Sequence, residues 1–106
     1  MFLDNYRTTQ INNFCNAQNI NNHLRQEILA FVNMCYEPEH GQPWEVKNNQ
    51  LHEILFANQE LKNVLQNAYI QNQNNFNDIF GNATVVIQDH VNSYSPELLG
   101  EQADNF

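Results

Sequence analysis

Apolar side chains that return every three to four positions constrain this chain more than any other feature. Leu51, Ile54, Leu55, Leu61, Leu65, Ala68 and Tyr69 keep to one helical face with heptad-like spacing. Phe76, Ile79, Phe80, Ala83, Val86, Ile87, His90, Val91 and Tyr94 do the same further on. That period belongs to α-helices, since a strand would alternate. A striped helix is stable only when its stripe meets another, so the pattern demands helices packed around a shared interior. Thr84-Val85-Val86-Ile87 would suit a strand if read alone. The helical spacing runs well past it on both sides, so a helix is expected there too.

Two earlier stretches follow the same rule. Leu3, Arg7, Ile11, Phe14 and Cys15 form a first stripe, interrupted by Arg7, with Asp4 as a cap or first-turn acid. Ile20, Leu24, Ile28, Phe31, Val32 and Cys35 form a wider one, with Asn19, Asn21 or Asn22 as cap. Pro38 stops this second helix. Pro43 suits the first position of a third, which fades into the amide-rich stretch 71–75, a frayed end and connector. Gly81 falls inside the fourth and weakens it by about 1 kcal/mol relative to alanine. Ser95-Pro96-Glu97-Leu98-Leu99 reads as a short last helix closed by Gly100, with a ragged end from about residue 101. The sequence thus predicts an all-α fold. It would be a compact bundle of about four helices with a short C-terminal helix, one domain over 1–106, with the long third helix as its central strut.

Charge narrows the class of function. Twelve acids face four bases, Arg7, Arg25, Lys47 and Lys62, for a formal net charge of -8. Nucleic-acid binding needs clustered cations, and so does an anionic membrane surface, so neither partner is expected. A protein partner with a basic surface fits the sign of the charge. Asparagine supplies about one residue in five while lysine is scarce. Selection against lysines that accept ubiquitin, as in a protein acting inside a foreign eukaryotic cell, is one reading of that contrast. No apolar run approaches the length of a bilayer span, and Met1-Phe2-Leu3-Asp4 has no signal-peptide character. A cytoplasmic protein is therefore expected, and delivery into a host cell by a route that reads no leader is compatible with the same start.

Motifs for chemistry are sparse. The three glycines lie far apart, which leaves no phosphate-binding loop, and no cofactor is expected. His23, His40, His52 and His90 form no i, i+4 ligand pair; His40 with Glu37 and Glu39 would be at best a weak metal site. Cys15 and Cys35 sit on separate stripes, too far apart for a disulfide if the first two helices form a hairpin, and read as free buried thiols. His90 lies on an apolar face, as a core-edge histidine with a hydrogen-bond partner or, functionally, as a pH-sensing or catalytic histidine. Asn58, on the stripe of the third helix, either sets register or marks where the stripe meets solvent. Glu27, Glu45, Glu53 and Glu60 read as solvated.

Phe56 projects away from the main stripe, and Tyr36 and Trp44 belong to no clear helical face. With Glu37, Glu39 and Glu45 beside them they suggest aromatic anchors inside a charged rim. The leading expectation is a non-catalytic protein-binding module: an adaptor, inhibitor or delivered effector. A small metal-dependent or Cys/His enzyme and a self-associating structural subunit are the alternatives.

Overall fold

The computed structural model describes residues 3–36 and 44–94. Six α-helices make up the described residues, with no strand among them: α1 (Asn5–Ala17), α2 (Asn22–Met34), α3 (Trp44–Ala57), α4 (Gln59–Gln71), α5 (Gln73–Phe80) and α6 (Ala83–Tyr94). The expected all-α class holds. The count of about four does not, because the third and fourth expected helices are each divided. The expected loop at 37–42, Pro43, the short helix at 95–99 and the ragged end lie outside the described residues.

Amide side chains set most of the divisions. Asp4 caps α1 by accepting from the Arg7 N–H at 2.7 Å. At the other end of α1, Asn19 takes a left-handed φ of 55°. The Ile20 N–H then reaches back to the Cys15 carbonyl and the Asn19 N–H to that of Asn16, a closure that satisfies helix-end carbonyls and turns the chain. Asn21 caps α2, its side chain accepting from the Leu24 N–H at 2.8 Å.

The long expected third helix breaks at Asn58, whose side chain accepts from the Leu61 N–H at 3.1 Å and caps α4. Its amide also donates to Glu27 on α2. Asn58 is thus a cap fastened to another helix, and Glu27 is a bound acceptor rather than a solvated charge. A second one-residue break falls at Asn72, which caps α5 through the Asn75 N–H at 3.1 Å. The amide-rich stretch thus ends α4 at Gln71, caps α5 at Asn72 and opens α5 at 73–75, where a frayed end and connector was expected. An Asn side chain offers the next turn an acceptor that competes with continued helix, which explains both breaks.

Gly81 ends α5 with φ +55°. A Cβ there would come within 1.8 Å of the Tyr36 hydroxyl. That hydroxyl accepts from the Asn82 N–H at 2.9 Å, just before α6 begins. Arg7, the interruption in the first stripe, donates to the Asp78 carbonyl and so ties α1 to α5.

All six helices contribute to one contiguous core. α4 is its centre, packing against α2, α3, α5 and α6. The central strut is thus only the second half of the helix expected from sequence. Rings dominate one side of the core: Phe14 meets Phe80 edge-on, Phe80 lies against Phe76, and Phe76 meets Tyr69 edge-on. α6 includes Thr84–Ile87, with Val86 and Ile87 buried, so the strand alternative does not arise. Cys15 and Cys35 are free and buried, as their stripes imply. No helix among the described residues is long and apolar enough to cross a membrane.

Candidate functional site

Where α3 packs on α6, two histidines and two aromatic rings meet. His52 and Phe56 are four residues apart on α3, and His90 and Tyr94 four apart on α6, so each pair lies on one face of its helix. The rings form a tight group. His52 stacks on His90 with centroids 5.0 Å apart, Phe56 meets Tyr94 edge-on at 4.7 Å, and both Phe56 and Tyr94 lie 4.9 Å from His90.

The imidazoles are also joined by a hydrogen bond. Nδ1 of His52 lies 2.8 Å from Nδ1 of His90. Nε2 of His52 lies 3.1 Å from the Asp89 carboxylate, which is 61% exposed. A carboxylate accepts, so His52 carries its proton on Nε2. With both rings neutral, its Nδ1 then accepts from His90 Nδ1–H. This leaves His90 Nε2 as a buried acceptor with no partner among the described residues. Burial pushes the His90 pKa down to about 4, with the neighbouring His52 and Lys62 acting in the same direction and Asp89 opposing them. His90 is accordingly neutral at pH 7. Of the two readings from sequence, a hydrogen-bonded core histidine describes its place, and its partner is a second histidine.

The inner half of this seam is closed to substrate, because His90 has no exposed surface and His52 is buried. The outer half is open: Phe56 is 51% exposed and Tyr94 49%. The Lys62 ammonium lies 5.9 Å from the centroid of the Phe56 ring. Glu53, on the turn before Phe56, is exposed, as is Asp89. An aromatic pair on two packed helices is thus flanked by one cation and two carboxylates.

The other candidate residues fall in different places. Tyr36 is half-buried against the core, and its hydroxyl is engaged by Asn82. Trp44 and Glu45 open α3, two turns or more before Phe56. Glu37 and Glu39 lie outside the described residues, as does His40. A cavity of about 350 Å³ is lined by Cys35, Asn48, Asn82, Val85 and Val86. Burial pushes the Cys35 thiol up to about 12 against the opposing pull of Lys47, so it is protonated and a poor nucleophile. Among the described residues no three His, Cys, Asp or Glu side chains are grouped to hold a metal ion.

Of the residues in this seam, Phe56, His90 and Tyr94 stand out in a reading of single stripes, Tyr94 as the end of an inward face although it is half exposed. His52, Lys62 and Asp89 do not, because what they face is set by other helices. One signal was present: a histidine followed four residues later by an aromatic occurs on both helices, and such matched pairs can interlock. No protein-family model, no curated protein and no solved structure matches this chain.

Proposed function

We propose that this protein is a non-catalytic protein-binding module that engages its partner through the Phe56–Tyr94 face of the α3–α6 seam. The observation that carries the reading is two large rings in mutual contact, each about half exposed, fixed on packed helices. Half-exposed aromatics on rigid elements lose little conformational freedom when covered, and such residues dominate interface energetics. The exposed carboxylates of Glu53 and Asp89, together with the net charge of -8, favour a partner with a basic surface. Tyr36 is less suited to this surface because its hydroxyl is already bound.

Affinity capture from cells of the source, with wild type, Phe56→Ala and Tyr94→Ala as baits, tests this. A specific partner is expected on the wild type. Either substitution should weaken it by about 2 kcal/mol, or about 30-fold in Kd, with the circular-dichroism spectrum unchanged. Retention of the same partners by both folded variants removes this face from the reading. Concentration-dependent sedimentation of the wild type, abolished by Phe56→Ala, would identify the partner as a second copy of the chain.

A further inference from the structure

The α3–α6 seam is closed by a contact with a limited capacity for protons. Between His52 Nδ1 and His90 Nδ1, 2.8 Å apart, there is room for one hydrogen. The pair holds together with both rings neutral. It also holds with one proton added to His52, which then donates from Nδ1 to His90 and from Nε2 to Asp89. A second proton would set two N–H groups head to head and place two cations in ring contact inside the core, an arrangement without a satisfied geometry. The groups facing the pair do not relieve it. Asp89 from α6 hydrogen-bonds only His52, and its pull on a charge at His90 is outweighed by burial, His52 and Lys62 from α4, while Phe56 from α3 and Tyr94 from α6 supply rings. Glu53, next to His52 on α3, is exposed, and α5 turns Phe76, Ile79 and Phe80 inward.

We propose that the His52–His90 contact is a pH-operated latch that holds α3 to α6 at neutral pH and releases them in mild acid, parting Phe56 from Tyr94. The proton comes from solvent and enters as the helices separate, because His90 has no surface exposed in the closed state. The sign follows from where His90 binds its proton. Its folded pKa, about 4, lies below the ordinary 6.5 of an open state. The open state therefore binds more protons between these values, and acid favours opening. From pH 7 to pH 5 the closed-to-open ratio should fall about 20-fold.

The test is made on the full chain. Ring-nitrogen NMR of the wild type across pH 7 to 5 reports the charge on each imidazole. Amide exchange, corrected for its intrinsic pH dependence, reports opening of α3 and α6. The expected result is that protection of residues 86–91 falls with pH while the closed state never shows two cationic rings. His90→Asn keeps a donor near the Nδ1 position and cannot titrate, so its protection should change far less over the same range. Two cationic rings in a molecule that keeps its α3 and α6 protection would overturn the latch. So would a folded His90→Asn protein that loses protection in parallel with the wild type. Should that variant fail to fold, the wild-type titration decides alone. Neither readout involves a binding partner, so the latch and the proposed binding face fail separately.

Discussion

The ring cluster of α1, α4 and α5 and the seam between α3 and α6 are both built from aromatic side chains, and they differ in what is buried with them. In the first, Phe76 and Phe80 are fully buried and are joined by Phe14 and Tyr69 in edge-on and tilted contacts. The Tyr69 phenol there is pushed up by burial, further from neutrality. In the second, two buried imidazoles share one hydrogen bond beneath rings that reach solvent. Dry ring packing contributes stability that acid does not touch. A polar contact inside a core adds specificity but makes stability conditional on protonation. The difference separates a part of the molecule that serves folding from one suited to recognition and response.

The largest effect should come from the dry cluster. Phe80→Ala is expected to lower unfolding free energy by about 3–5 kcal/mol, equally at pH 7 and pH 5, in denaturant titrations. A loss that depended on pH would show the clusters to be coupled and break the contrast. The seam should show the opposite behaviour without any substitution. Between pH 7 and pH 5 the wild type should lose about 2 kcal/mol that His90→Asn does not, because the wild type gains a proton at residue 90 on unfolding and asparagine cannot take one. Asn58→Ala tests the break that lets α3 and α4 present different faces. Loss of the cap and of the Glu27 contact should lower stability by about 1 kcal/mol, read from the denaturation midpoint. Phe56→Ala should matter least to stability, below about 1 kcal/mol, since half the ring is already in water. A larger loss would mean that Phe56 belongs to the core and that the seam has less open surface than proposed.

Much of the core was legible from spacing alone. Ile11, Leu24, Ile28, Leu65 and Ile87 all lie on the expected stripes and are fully or almost fully buried. Asp4, expected as a cap or first-turn acid, is the cap of α1, and of the three asparagines offered for α2 it is Asn21 that caps. The breaks at Asn58 and Gly81 were not legible, because each interrupts a stripe whose period continues on the far side; the boundary within 71–75 was legible, but not its form as a one-residue cap at Asn72. Periodicity reports which residues seek the interior, and a one-residue cap can redirect a helix while leaving that preference intact. Gly81 carried a signal, but its role required knowing that the Tyr36 hydroxyl occupies the space a side chain would need.

The sequence by itself determined that this chain forms helices and which side of each turns inward, since both depend on neighbours within four positions. Only the tertiary structure decided that His52 meets His90 across 38 residues and that Phe56 shares its exposed face with Tyr94. The reason is the range of the interactions. Helix formation and capping are local, whereas a contact between two imidazoles exists only after every intervening cap has fixed where α3 and α6 lie.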